Sequence, residues 1–343
     1  MKDAMTDDLF ADALKQLLAA HNTPQVVRDI EAGQLPAALW AQIEQSGFAN
    51  ALVDEAQGGA GLSLAAAHPL FELCGSFALP VPLAETMVAR ALLARAGGEI
   101  PAGSICFGSA VSDKDGAMVC GIVRCGQVAD WVLVAQDVYP AVGQGGPCLL
   151  LPGSAAKKSA AVFCLDARLA WSPAAVAGGV PVACDFDLKS VEACLYAAQL
   201  AGAMMAVFER SLQYANDRQQ FGRPIGKFQA IQHQLSVMSE QAFAARMAAQ
   251  IGCQSKSFLP DRLKAAVAKA RTSEAAVEVA ALSHSIHGAI GFTHEFDLQL
   301  YTRRLHAWRE AGGSESYWHA VVGAELVENR QGLTLDFIRE LEN

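Results

Sequence analysis

The sequence predicts a mostly helical protein with a central β-domain, built as an N-terminal helical domain, a small antiparallel β-domain and a C-terminal four-helix bundle. Three observations predict it. Both ends of the 343-residue chain carry apolar residues at helical spacing, 52% of the chain is apolar, and the middle breaks into short β-rich runs. Abundant alanine favours helices that pack closely. The predicted boundaries are 1–102, 103–187 and 188–343, and each region is long enough to contribute to a core.

In the first region Leu9, Ala13, Leu17 and Leu18 form one apolar stripe, and Leu39, Trp40, Ile43 and Phe48 form another. Gly58-Gly59-Ala60-Gly61 breaks the pattern. A helix follows from the N-cap candidate Ser63 to Phe77. Pro80 and Pro82 interrupt it, and Leu83 to Ala96 resumes until Gly97-Gly98. In the second region, strands are expected over 104–110, 118–124, 131–135, 148–151 and 161–164, separated by turn residues. In the third, helices are expected over 191–217, from Phe228 through Met238, over 262–286 and over 315–341. Pro224 stops the first of these, because proline has no amide hydrogen and restricts its predecessor. Long helices with short turns predict an antiparallel bundle.

The net charge of −9 argues against a general affinity for nucleic acid or anionic membranes. The first residues lack an apolar signal core, and no apolar run is expected to span a bilayer. The nine cysteines are scattered and odd in number, which suits reduced thiols. The expectation is a cytoplasmic protein with no membrane or nucleic-acid partner.

The most informative stretch is Tyr214-Ala-Asn-Asp-Arg-Gln-Gln-Phe-Gly-Arg-Pro-Ile-Gly-Lys-Phe-Gln229. It places a permanently charged guanidinium, Arg218, at a helix end and an aromatic ring, Phe221, three residues later. Taken singly, Arg218 would pair with Asp217 or Asp187 and Phe221 would be core. The whole stretch, however, resembles the Arg-x-x-Phe-Gly-x-x-Ile-x-x-Phe-Gln signature of the acyl-CoA dehydrogenase family. Ser285-Ile-His-Gly-Ala-Ile-Gly-Phe-Thr293 resembles a second family segment, Gln-x-His-Gly-Gly-Ile-Gly-Phe-Thr. There His287, Gly288 and Gly291 match, whereas Ser285 replaces a glutamine and Ala289 a glycine. Gly47-Phe48 with Val53 to Ser63, Pro80 to Thr86, and Ala129 to Ala135 resemble further family segments, so the likeness covers nearly the whole chain.

The resemblance implies FAD as cofactor, an acyl-CoA substrate, α,β-desaturation, and an electron-transferring flavoprotein as acceptor. It implies a dimer or tetramer formed through the C-terminal bundle. It also implies that Arg218, Phe221, Ser285, His287, Gly288 and Gly291 bind FAD, partly across subunits. The desaturation needs a carboxylate base beside the acyl chain and donors on the thioester oxygen.

The usual family base, the Glu of Tyr-Glu-Gly-Thr-Ser-Glu, aligns with Ala311 in Arg309-Glu-Ala-Gly-Gly-Ser-Glu315. A methyl group accepts no proton. Glu310 lies one residue earlier. Glu192 lies 26 residues before Arg218, at a helical spacing that a minority of the family uses for its base. The family's Asn-Gly-x-Lys-x-Trp-Ile-Thr strand and Thr-Glu-Pro-x-x-Gly-Ser loop have no counterpart between Ser104 and Asp187. Three readings follow. The chain is the shorter subunit of a mixed assembly that completes a partner's FAD site, a self-sufficient homo-oligomer using Glu192 or Glu310, or a non-catalytic scaffold on the same fold.

Overall fold

The computed structural model describes residues 2–136, 148–183, 186–329 and 334–341. Two compact units emerge. One comprises Met1–Leu70, Leu79–Leu188 and Lys256–Leu259, and the other Phe71–Ala78, Lys189–Ser255 and Pro260–Asn343.

The first unit begins with α1 (Lys2–His21), α2 (Pro24–Glu31) and α3 (Ala37–Ser46). Helix α2 goes beyond the sequence expectation. The Thr23 hydroxyl accepts from the Val26 amide at 3.4 Å, and Pro24 sits in the first turn, where a missing amide hydrogen costs nothing. Helix α4 (Leu64–Ser76) is capped by Ser63, whose hydroxyl accepts from the Ala66 amide at 3.2 Å. Helix α5 (Leu83–Arg95) is buried on every side from Leu83 to Ala94. That burial includes Arg90, which is 2% exposed. Its guanidinium donates to both Glu44 carboxylate oxygens at 2.7 and 2.8 Å, to Asn50 Oδ1 at 2.9 Å and to the Gly103 carbonyl at 2.9 Å. One buried cation therefore ties α3, α5 and the approach to the sheet.

The sheet strands are β1 (Ile105–Ser112), β2 (Met118–Val123), β3 (Trp131–Gln136), β4 (Cys148–Pro152), β5 (Lys157–Ala160), β6 (Ala167–Trp171) and β7 (Val180–Val182), with α6 (Pro173–Ala177) before the last. Their order is β5-β6-β2-β1-β3-β4-β7. The sheet is mixed rather than antiparallel, because β3 runs parallel to β1, with Ile105 opposite Trp131. After the β1–β2 hairpin the chain crosses back through 124–130, so β3 starts level with β1 on its other side. The strand expected over 161–164 is instead the turn between β5 and β6. Its β-prone residues form the loop of the β5–β6 hairpin, in which Ala160 pairs with Ala167. The sheet core gathers Val132, Val134, Leu151, Leu169 and Trp171, with the Trp171 indole donating to the Pro152 carbonyl at 3.0 Å. Trp131 is half-buried at a strand start. Cys148 is disulfide-bonded, contrary to the reduced-thiol expectation. Pairing of β4 with β7 sets Cys148 opposite Val182, an adjacency invisible in linear spacing.

The second unit is built on α7 (Leu188–Asp217), a hairpin of β8 (Gln219–Gln220) and β9 (Arg223–Pro224), then α8 (Gln229–Gly252) and α9 (Arg262–His287). It continues with α10 (Leu298–Trp308), α11 (Glu315–Ala324) and α12 (Thr334–Leu341). Asp261 caps α9, accepting from the Leu263 and Lys264 amides at 2.9 Å. Ala197 and Ala201 of α7 pack on Ala249 of α8 and Ala268 of α9, so small side chains bring three helices close together. Helix α7 is long and apolar enough to cross a membrane, which the sequence reading did not anticipate, yet 78% of its most apolar window is buried inside the protein. It is a core helix of this unit. Helix α10 fills a span left unassigned by periodicity. The buried Lys269 ammonium caps it, donating to the Trp308 and Arg309 carbonyls at 3.1 and 2.7 Å. The single helix expected over 315–341 is divided, because a wider helical turn over Glu325–Asn329 follows α11.

Arg90→Met is expected to destabilise the protein by about 2–3 kcal/mol in urea unfolding, since it strands a partly buried Glu44 carboxylate. The Arg90 guanidinium and hydrogen bonds hold that carboxyl below its ordinary 4.5, outweighing the upward push of burial, which is the largest single influence. A lowered carboxylate contributes stability above its unfolded value. The wild-type advantage over Arg90→Met should therefore persist at neutral pH and shrink as pH falls below about 4.5.

Candidate functional site

The connection between α7 and α8 is short because the β8–β9 hairpin turns in two residues. Phe221 and Gly222 are its central residues, with φ of 51° and 76°. Two positive φ values define a turn whose twist suits a tight hairpin. Glycine adopts that conformation freely. For phenylalanine it costs roughly 1–2 kcal/mol, so this backbone stores strain. The ring is 92% exposed and, among the described residues, its one aromatic contact is the edge of Phe228, at 6.0 Å between centroids. Phe221 is not a core residue.

Arg218 sits one residue past the end of α7. Its amide donates to the Tyr214 carbonyl and its carbonyl accepts from the Ile225 amide, both at 2.8 Å, so its backbone is fixed. Its guanidinium is exposed and has no ion pair or hydrogen bond among the described residues. The neighbouring Asp217 carboxylate accepts from Gln213 instead, at 2.7 Å.

The C-terminal end of α9 faces this hairpin. Gly288, with φ of 66°, ends the helix, its amide donating to the His284 carbonyl. His287 is buried, and its ring stacks on Tyr214 at 4.4 Å. Its Nδ1 donates to the Ser283 carbonyl at 2.8 Å, which fixes the proton there. Nε2 is left as a buried acceptor with no partner among the described residues. Burial lowers the His287 pKa against the weaker opposing pull of that hydrogen bond, so the ring is neutral. The Ser285 hydroxyl accepts from Gln234 of α8 at 3.0 Å, so an amide from the adjacent helix reaches the position where the sequence lacks one.

These parts line one groove of about 540 Å³. Arg218 and Phe221 stand on one side, Ser285, His287, Gly288 and Ala289 on the other, with Ile225, Phe228 and Ile231 as apolar floor. Gly291 does not line it. A Cβ there would meet His287 and Leu298 at 3.1 Å, so Gly291 serves packing behind the groove. Sequence reasoning missed Tyr214 and Gln234. Tyr214 could have been found, since it lies one helical turn before Arg218 on the same face.

The two candidate bases lie outside the groove. Glu310 is exposed, 3.8 Å from the Arg309 guanidinium, and Arg309 also pairs with Glu315. Ala311 is buried. Glu192, near the start of α7, packs against the same loop: a Cβ on Gly312 would lie 2.8 Å from the Ala193 amide and 2.9 Å from the Glu192 Cβ. Glu192 therefore lies against the segment that carries Glu310 and Ala311.

An open groove with a free guanidinium, an exposed aromatic ring and an orphaned acceptor suits a flat, polyanionic ligand. Comparisons with known proteins identify the family. Residues 5–100 match the acyl-CoA dehydrogenase N-terminal domain and residues 181–326 the acyl-CoA dehydrogenase C-terminal domain. Acyl-CoA dehydrogenase IpdE2 of Mycolicibacterium smegmatis is 30% identical over 87% of this chain and 92% of its own length. The Mycobacterium tuberculosis protein of the same name is 31% identical, over 87% and 90%. The chain belongs to the acyl-CoA dehydrogenase family. Its fold is also that of the Tcur3481-Tcur3483 steroid acyl-CoA dehydrogenase, with a TM-score of 0.80 at 23% identity over 95% of this chain and 99% of that one. A chain of the ChsE4-ChsE5 complex from Mycobacterium tuberculosis gives 0.75 at 18% identity, over 95% and 98%.

Phe221→Gly should change thermal stability by less than about 1 kcal/mol, because relieved turn strain offsets the added freedom of glycine in the unfolded chain. The histidines give a pH dependence. Burial lowers the pKa of His284 and His287, so the unfolded chain binds protons first as pH falls. Stability should decline as pH drops below 6.5, and His287→Phe should reduce that slope in urea titrations.

Proposed function

We propose that this chain is a subunit of an FAD-dependent acyl-CoA dehydrogenase that desaturates an acyl-CoA thioester, and that it completes the flavin site of a longer partner. The observation that carries this reading is the unpaired Arg218 guanidinium beside the strained, exposed Phe221. An exposed cation with no partner among the described residues, beside an exposed aromatic ring on the same hairpin, suits a ligand held jointly with another subunit. The absence of the family's β-domain flavin motifs supports the same division of labour. So do the neighbours in fold whose names describe two-component assemblies, Tcur3481-Tcur3483 and ChsE4-ChsE5. The word steroid in the former, and similarity to the FAD complex of PigA, support a bulky acyl group and FAD as cofactor.

The residues present fit the cofactor. Arg218 would hold the pyrophosphate, whose charge the guanidinium matches in a forked geometry. Phe221 would give an aromatic face, and neutral His287 an acceptor that needs a donor. When bound, FAD supplies the hydride acceptor. Of the chain's own groups, Arg218 and Phe221 bind and orient. Ala289 narrows the groove by one methyl group.

A second reading rests on a specific observation, the packing of Glu192 against Gly312. In a self-sufficient oligomer, Glu192 would take the proton from the carbon beside the thioester carbonyl. It is a carboxylate placed by the first turns of α7, and Glu310 faces solvent.

The two readings separate on one preparation. Purified alone, the chain should lack stoichiometric flavin absorbance, and it should gain it when co-purified with a longer family member. Arg218→Ala in that complex should weaken flavin retention by about tenfold or more, the loss of one charge-assisted contact worth about 1.5–3 kcal/mol. Stoichiometric FAD and acyl-CoA turnover by the chain alone would instead establish the second reading. Glu192→Gln would then abolish turnover while Glu310→Gln would not.

A further inference from the structure

Cys194 of α7 and Cys253, the residue that ends α8, are fully buried free thiols. Their sulfur atoms lie 3.3 Å apart, and the Cys194 thiol also donates to the Gly252 carbonyl at 3.3 Å. A chain of hydrogen bonds results: the Cys253 thiol donates to Cys194, and Cys194 donates to the backbone. The flavin groove and the Glu192 loop make no use of this pair. We propose that Cys194 and Cys253 are a redox modification site that closes to a reversible disulfide tying α7 to the end of α8.

The surroundings permit closure. Ala197, Ala201, Ala249 and Ala268 line the nearby helix contact, and the two sulfurs already touch at 3.3 Å. Small neighbours let the two sulfurs move from contact to a covalent separation of about 2.05 Å with a slight shift of either helix. The bond to Cys194, together with burial, holds the Cys253 thiol well above its ordinary pKa, so that thiol rests protonated. Oxidation therefore waits on a local opening. Cys253 is the C-cap of α8 and is followed by a non-helical connection over 254–261. Helix ends open at lower cost than helix interiors, which makes Cys253 the first to react.

With a hydroperoxide as oxidant the chemistry balances. The Cys253 thiolate attacks one peroxide oxygen, the O–O bond breaks, and the departing hydroxide takes up the thiol proton as water. Cys253 is then a sulfenic acid. On reclosing, the Cys194 sulfur attacks the Cys253 sulfur, the S–O bond breaks, and a second water leaves. Two thiols and one hydrogen peroxide give one disulfide and two waters, with two electrons passing to the peroxide. The cross-link immobilises the turn of α7 that carries Glu192 and Ala193, against which Gly312 packs.

The test treats the purified full chain with hydrogen peroxide under native conditions, followed by non-reducing peptide mapping. The expected product is a peptide pair joined through Cys194 and Cys253, lighter by two hydrogens and released by dithiothreitol. Its formation should accelerate in sub-denaturing urea, and the cross-linked protein should melt several degrees higher. Exposed Cys164 is the internal control for oxidant exposure. In Cys194→Ser, dimedone should trap Cys253 as its sulfenic acid. Oxidation of Cys164 while Cys194 and Cys253 both stay reduced in the wild-type chain would overturn the proposal. So would oxidation of Cys253 beyond the sulfenic acid without any cross-link.

Discussion

A two-residue turn with both φ values positive is the constraint on which the candidate site depends. Once Phe221 and Gly222 close the β8–β9 hairpin, the Phe221 ring cannot fold back into the helices it joins. The same closure fixes the Arg218 backbone through Tyr214 and Ile225 and leaves its guanidinium outside. A sequence that bears this strain gains nothing from it within its own core. The ring touches Phe228 at one edge, and the cation touches no acidic group among the described residues. Strain and unused charge at one rim are the physical grounds for placing a ligand there.

The opposite wall obeys a different logic. Helix α9 ends where Gly288 allows it to, and the Tyr214 ring across the groove holds the His287 imidazole by stacking. That stack couples the last turns of α7 to the end of α9, so the two walls form one structural element. Alanine-lined packing deeper in the unit sets the separation of α7, α8 and α9. Packing of Ala193 with Ala266, Ala270 and Trp318 brings the start of α7 beside Gly312, and with it Glu192 to the loop in which Ala311 replaces an expected carboxylate.

Much of this was legible in the residues. Helical periodicity located α4, α5, α7, α8 and α9, and Gly222 and Pro224 marked the turn that follows α7. The parts that were not legible are set at long range. The parallel pairing of β1 with β3 depends on which edge a returning strand finds, and no local pattern encodes that. The wider turn over Glu325–Asn329 lies in a stretch that apolar periodicity reads as one continuous helix. Ser285 reads as a lost amide until the α8–α9 packing shows Gln234 beside it. Gly291 reads as a binding glycine by its neighbours, yet its tight space is filled by His287 and Leu298. Helix α10 is short, and only the burial of Lys269 beneath it explains its end.

Chemical reactivity of one side chain tests the central claim most directly. Phenylglyoxal labelling of arginines in the assembled flavoprotein, mapped by mass spectrometry, reports whether Arg218 is engaged. The account predicts that Arg218 is labelled readily in the chain alone and is shielded in the flavin-loaded assembly, with shielding lost when flavin is stripped. Equal labelling of Arg218 with and without flavin would contradict it.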